Sequence, residues 1–192
     1  MAEAYGKLTG KPGVCFVTRG PGATNASIGI HTASQDSTPL VLFVGQVKRA
    51  HLGRDAFQEI DYRHMFGHIA KWAAQVDDPA RLPELVSRAF HLAVSGRPGP
   101  VVLALPEDML DEQCVVADAG PYRRVQASPG AAQMEALRGL LAKAERPVMI
   151  VGGGDWSAAA ATDVHAFAAA NDLPTGAAFR AQDLFDNRAA QY

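Results

Sequence analysis

Long apolar runs are missing from this chain: no stretch approaches the roughly 20 residues that cross a bilayer, so no membrane-spanning helix is expected. A basic surplus is missing as well. Eighteen lysines and arginines stand against twenty acidic residues, a formal net charge of −2, with a pI near 6.3. No basic stripe gathers on any segment, and Tyr122-Arg123-Arg124 is too short to make one, so no nucleic-acid partner is expected. Cysteine is scarce: Cys15 and Cys114 lie far apart, which predicts two reduced thiols in a cytoplasmic protein instead of a disulfide framework. The start, Met1 to Lys7, lacks the charged-then-apolar layout of a secretion signal.

What is present suits a buried core. Hydrophobic residues make up 48% and charged residues 20% of the 192, enough for one full domain and part of another. Short apolar runs alternate with longer helical stretches, the pattern of a parallel sheet with crossover helices. Strands are predicted at 14–18, 40–45, 71–76 and 101–105. Helices are predicted over Thr24–Ser37, after a Gly20-Pro21-Gly22 turn, and over Pro79–Ser95, capped by Asp77 or Asp78. Leu82, Leu85, Val86, Ala89, Phe90 and Ala93 share one face of the second helix.

After Asp108 the texture changes. Residues 111–130 are polar, turn-rich and without period, and read as a linker between a first domain over 1–110 and a second over 131–192. In the second, a helix (Ala131–Ala144), a strand (Pro147–Val151), the triple glycine Gly152–Gly154 and an alanine-rich helix (Ser157–Ala170) form an incomplete α/β beginning. Met1 starts inside what reads as a helix and Tyr192 ends before a second sheet could close, so the expectation is a piece of a longer protein.

The segment with most chemistry in it is Val17-Thr18-Arg19-Gly20-Pro21-Gly22-Ala23-Thr24-Asn25. Glycines at the carboxyl end of a strand let a ligand approach the backbone, and a following helix offers free N–H groups. An ordinary tight strand-to-helix turn reads the same way. The segment matches neither the phosphate loop ending in Gly-Lys-Ser/Thr nor the dinucleotide Gly-x-Gly-x-x-Gly. The triple glycine Gly152–Gly154 could open a dinucleotide site of a Rossmann-type oxidoreductase, yet no acidic residue follows over Leu173–Ala178. His64 and His68 stand four apart, the spacing of a zinc pair, but no third ligand accompanies them and they are read as polar helix-face residues.

Ordered blocks across the chain resemble the acetolactate synthase family of thiamine-diphosphate enzymes. They are Met1-Ala2-Glu3-Ala4-Tyr5-Gly6, Thr9-Gly10-Lys11-Pro12-Gly13-Val14, Gly20–Asn25, Asp36-Ser37-Thr38-Pro39-Leu40-Val41, Gly45-Gln46-Val47, Asp55-Ala56-Phe57-Gln58-Glu59 and Ser95–Val101. Arg146-Pro147-Val148, Val151-Gly152-Gly153-Gly154 and Asp172-Leu173-Pro174 resemble the start of that family's central domain. The resemblance implies a pyrimidine-binding domain followed by that central domain. It implies carboligase or decarboxylase chemistry on a 2-keto acid, with the cofactor as electron sink, in a homo-oligomer. Phe57 and Gln58 match a pair beside the thiazolium and substrate, where an amide can donate to a developing oxyanion. Gly20, Pro21, Gly22 and Asn25 match the turn lining the cofactor pocket, and Lys71 matches a basic residue near the substrate entrance. Gly152–Gly154 would lie against FAD, although other relatives bind ADP or nothing there.

The same resemblance marks what these residues do not supply. The family's proton-relay glutamate sits in an Arg-His-Glu segment before the block matching Met1–Gly6, and Glu3 matches a non-catalytic helix position. The Gly-Asp-Gly…Asn motif that holds the diphosphate through Mg²⁺ belongs to a C-terminal domain. The 192 residues alone are therefore expected to be inactive, and a stand-alone, non-catalytic binding module is a second reading. Lys48 stands where biosynthetic acetolactate synthases usually carry proline, which weakens a claim for pyruvate. Thr18 and Arg19 stand where aryl decarboxylases place a histidine.

Overall fold

The two longest apolar runs become the middle of a sheet. A computed structural model of residues 1–192 pairs β2 (Leu40–Gln46) with β4 (Pro100–Pro106) along their whole length, Leu40 opposite Pro100 and Gln46 opposite Pro106. β1 (Gly13–Val17) joins β2, and β3 (Trp72–Gln75) joins β4, so the order is β1-β2-β4-β3 with every pair parallel. β4 is buried at each position and β2 at all but Gly45, as expected of strands covered on both faces.

Two faces make two cores. On one, Leu40, Leu42, Val44, Val102 and Ala104 pack against α2 (Gly20–Gln35) and α3 (Tyr62–Phe66) through Ala23, Ile30, Ala33, Tyr62 and Phe66. On the other, Val41, Phe43, Val101, Leu103 and Leu105 meet Leu85, Ala89 and Ala93 of α4 (Leu82–Val94). α1 (Ala2–Thr9) lies so close to the start of β1 that a Cβ on Gly13 would come within 1.9 Å of the Ala2 carbonyl oxygen. Only glycine fits that crossing.

The helix limits differ from those expected, each for a local reason. α2 begins at Gly20, not Thr24: Pro21 occupies its first turn, where no N–H is needed, so the expected glycine turn is helical. It ends before Ser37, which takes φ 57. Asp78 is the cap, accepting from the Ala80 N–H at 2.9 Å, but Pro79–Arg81 form a 3₁₀ turn before α4 begins. His64 lies in α3, whereas His68 falls beyond its end at Phe66, so the two histidines do not share a helix face.

The chain divides into two units, Met1–Val125 and Gln126–Tyr192. The first runs past α5 (Glu107–Leu110) because Tyr122 stacks on Phe90, centroids 5.6 Å apart, and the Arg123 N–H donates to His91 Nε2 at 3.3 Å. The second holds α6 (Ala131–Lys143), β5 (Met149–Val151), α7 (Ala158–Ala170) and β6 (Thr175–Ala177), with β5 and β6 parallel around Val151, Ala168 and Phe185. Cys15 and Cys114 are both free, and no helix is long and apolar enough to cross a membrane.

Candidate functional site

Parallel sheets gather ligands at the carboxyl ends of their strands, so the segments leaving β1, β2 and β4 define the place to examine. From β1 the chain passes Thr18 to Arg19, which caps α2 without a side-chain bond and approaches Glu107 at 3.9 Å, after β4. From β2 it enters a long segment over 47–61 that returns at α3. The Gly20 N–H donates to the Gln58 carbonyl at 3.0 Å. Residues 38 positions apart are thus in contact at one end of the sheet. A first-turn helix N–H has no partner within its helix, and Gln58 supplies one from outside.

Side chains that sequence reasoning passed over hold the 47–61 segment in place. Gln46, buried at the end of β2, donates its Nε2 to the Ile60 carbonyl at 2.9 Å and accepts the Val47 N–H at 2.9 Å. Arg49 bonds Asp108 through both its N–H and Nε at 2.9 Å, and reaches Glu112 and the Asp77 carbonyl. Those bonds raise the Arg49 pKa, Asp108 being the main cause. The backbone N–H of Arg49, foremost, lowers that of Asp108. Glu59 accepts the Gly53 N–H at 2.6 Å and the Ala56 N–H at 3.0 Å. These same two bonds hold its carboxyl below the ordinary range. The available signal was a glutamine closing an apolar strand, followed by a segment dense in charged residues, among them Arg49 and Glu59.

The structure sorts the expected site residues. Gly20, Pro21 and Gly22 form the first turn of α2, with Asn25 one turn on. A Cβ on Gly20 would stand 3.0 Å from the Gln58 carbonyl oxygen, and one on Gly22 would stand 3.0 Å from Thr18 and Val17 side-chain carbons. Phe57, 79% exposed, projects from the same loop as Gln58. Lys71 does not join them. It precedes β3, at the amino end of the sheet, and its ammonium donates to the Leu92 carbonyl and, at 2.6 Å, to that of Ser95, closing the end of α4. Partial burial lowers its pKa. Lys48 sits at φ −53, within the range a proline ring fixes, so lysine there changes the chemistry but not the chain path.

In the second unit the triple glycine leaves β5 but does not run directly into a helix. Asp155, Trp156 and Ser157 intervene, Gly153 takes φ 80, Trp156 Nε1 donates to the Gly152 carbonyl at 3.0 Å, and Ser157 caps α7. A Cβ on Gly152 would meet that of Ala178 at 2.8 Å, so the glycine serves close packing between the loops after β5 and β6. The concavity lined by Val148, Asp172, Pro174, Thr175 and the last three residues lies at the amino end of this sheet, away from the glycines.

Comparison with known proteins accounts for both units. Residues 1–65 match the description "Thiamine pyrophosphate enzyme, N-terminal TPP binding domain", and residues 134–192 match "Thiamine pyrophosphate enzyme, central domain". The chain belongs to the thiamine pyrophosphate enzymes. Among its relatives within this family, "Acetolactate synthase large subunit" from Parasynechococcus marenigrum (strain WH8102) is 40% identical over 195 residues, covering 98% of this chain and 32% of the relative. "Acetolactate synthase" from Arthrospira platensis is 39% identical over 191 residues, covering 96% of this chain and 33% of the relative. "Acetolactate synthase isozyme 2 large subunit" from Escherichia coli (strain K12) is 39% identical over 176 residues, with 90% and 32% covered. The chain spans about a third of the length of these relatives. The match of residues 134–192 to the central domain of thiamine pyrophosphate enzymes disfavours the oxidoreductase reading of Gly152–Gly154.

Proposed function

We propose that residues 1–192 are the pyrimidine-side domain and the beginning of the central domain of a thiamine-diphosphate-dependent carboligase or decarboxylase acting on a 2-keto acid, similar to acetolactate synthase. The observation that carries this reading is the junction of Gly20 with Gln58 at the carboxyl end of the first sheet, in a chain matching acetolactate synthases over nearly all its length. The site fits the ring end of that cofactor. The missing side chains at Gly20 and Gly22 let Gln58, Thr18 and Val17 pack against the helix start, which brings the 47–61 segment to it, and the exposed Phe57 ring there offers an apolar face.

Thiamine diphosphate supplies the electron sink when bound. The residues of this chain would orient it: Gly20, Pro21, Gly22 and Asn25 would line it, and Phe57 would shield the reacting end from water. Gln58 would donate its amide to the oxygen on which charge develops, without itself titrating. No three His, Cys, Asp or Glu side chains stand together as metal ligands, so no residue here is assigned to a diphosphate-bound Mg²⁺, which we place on a further domain of a homo-oligomer. FAD against Gly152–Gly154, and a cytoplasmic setting, belong to the same proposal; a flavin spectrum of the purified protein checks the first.

Two experiments test the reading. Calorimetric titration of the 192-residue chain with thiamine diphosphate and Mg²⁺, beside a pyruvate-consumption assay, is expected to show no turnover and binding weaker than micromolar, because charge-assisted contacts to the diphosphate and metal are not supplied here. Micromolar binding or turnover would show that these residues form a complete site. Replacing the matching segment of the E. coli isozyme 2 large subunit with residues 1–192 distinguishes an enzyme part from a non-catalytic module. A folded chimera with thiamine affinity restored supports the first, and a folded chimera without it supports the second.

A further inference from the structure

The 47–61 segment contains an arrangement that packing alone does not explain. Three of its residues within six positions take left-handed backbone: Gly53 at φ 74, Asp55 at φ 54 and Gln58 at φ 66. Two of them carry side chains, for which that region is unfavourable. Something must hold them there. No strand pairs with this stretch, and Phe57 at its tip is 79% exposed, so burial does not do it.

The holding group is a single carboxylate. Glu59 spans the turn, accepting the Gly53 N–H on one oxygen at 2.6 Å and the Ala56 N–H on the other at 3.0 Å, while its own N–H donates to the Ala56 carbonyl at 2.9 Å. Immediately before it, Gln58 is turned so that its carbonyl meets the Gly20 N–H at 3.0 Å. Immediately after, the Ile60 carbonyl is tied to buried Gln46 at 2.9 Å, and Asp61 caps α3 by accepting the His64 N–H at 3.1 Å. The far side of Gln58 is therefore fixed through Ile60 and Asp61. On the near side Arg49 anchors the start of the segment to Asp108, and the turn over 53–57 next to Gln58 is held through Glu59. Hydrogen bonds to an ionised acceptor are about twice as strong as neutral ones. The neutral amide of a glutamine has one oxygen for the two N–H groups and places an NH₂ against the other.

We propose that Glu59 is a positioning residue: its ionised carboxylate holds Gln58 and Phe57 against the first turn of α2. That the junction faces a cofactor rests on the functional reading above, whereas the part played by Glu59 in making the junction does not. The carboxyl sits below its ordinary range in the fold. The hold is therefore complete above pH about 4.3, the value for an unstrained glutamate, and is lost as pH falls through the lowered folded value.

Amide exchange by NMR on the 192-residue chain tests this. In Glu59→Gln, protection of the Gly53 and Ala56 amides should fall by about tenfold or more, the loss of a charge-assisted bond. That of Gly20, 39 positions away, should fall with them, while the amides of Val101–Ala104 in β4 keep theirs. Glu59→Asp should recover part of the Gly20 protection. The wild-type Gly20 resonance should move in an acid titration below pH about 4.3, with no such step in Glu59→Gln. An unchanged Gly20 in Glu59→Gln overturns the proposal. An equal loss in β4 overturns it as well, because Glu59 would then support the unit as a whole. Addition of thiamine alone reports on the functional reading separately: shifts confined to Gly20–Asn25 and Phe57–Gln58 support it, and their absence in a chain whose Glu59 results hold would count against the cofactor and leave the positioning intact.

Discussion

Phe66→Ala should lower the stability of the first unit by about 3–5 kcal/mol, the usual range for a fully buried aromatic cut back to a methyl group. Phe66 is 0% exposed and is the largest of the fully buried side chains. It closes α3 and lies in the cluster that joins α2 to the sheet, among Ala23, Leu42, Val44 and Ala104. Its carbonyl accepts the Ile69 and Ala70 N–H groups at 3.1 and 2.8 Å, so the turn from α3 toward β3 is built on the same residue. The cavity left by the ring would be walled by sheet side chains that cannot collapse without breaking strand pairing. Each unit carries one tryptophan, Trp72 in the first and Trp156 in the second. Urea unfolding followed by fluorescence of Trp72 in a Trp156→Phe background should show a strongly lowered midpoint. The same experiment on Trp156 in a Trp72→Phe background should not move. A Trp72 midpoint unchanged by the substitution would mean that the α2–α3 cluster is not a structural core.

The contrast between these residues and those of the site explains what the sequence made legible. Continuous apolar runs such as Leu40–Gly45 and Val101–Leu105 can be satisfied only by burial on both faces, so period and composition alone place them in the middle of a parallel sheet. Periodic burial likewise marks Leu85, Ala89 and Ala93 as one helix face. The start of α2 was less legible, because glycine and proline suggest a turn although both are tolerated in a first helical turn. Lys71 looks like any solvated lysine until the fold brings the end of α4 to it. Glu59, Gln46 and Arg49 were quoted inside motifs or passed over, because their work is to satisfy backbone groups of a loop. Which N–H or carbonyl a side chain will meet depends on φ angles at Asp55 and Gln58 that no periodicity announces.

Raising the pH from 10 to 12 should destabilise the first unit by about 1.4 kcal/mol per pH unit through Tyr62, and Tyr62→Phe should remove that slope. Tyr62 is 3% exposed, and its hydroxyl is buried without a hydrogen-bond partner. Burial is the main cause that pushes its pKa up to about 12, with the positive charge of Arg19 acting the other way. In the unfolded chain a tyrosine ionises near pH 10. The folded state therefore keeps its proton where the unfolded state loses it: stability is full below pH 10 and declines as pH rises toward the folded value. At neutral pH the hydroxyl forms no bond that offsets its lost hydration. Tyr62→Phe should therefore be neutral or more stable than wild type, by about 1–3 kcal/mol at most, the desolvation cost of an unsatisfied buried hydroxyl. Every other ionisable group is common to both proteins, so the difference between two urea series measured at several alkaline pH values isolates Tyr62. If Tyr62→Phe loses stability at pH 7, or keeps the alkaline slope, the hydroxyl has a partner. Its neighbours make that informative for the site. Tyr62 packs with Ala23 of the first turn of α2, follows the Asp61 cap, and stands two residues after the carbonyl that Gln46 holds. A hidden bond to this hydroxyl would thus be one more contact fixing the junction of the 47–61 segment with α2.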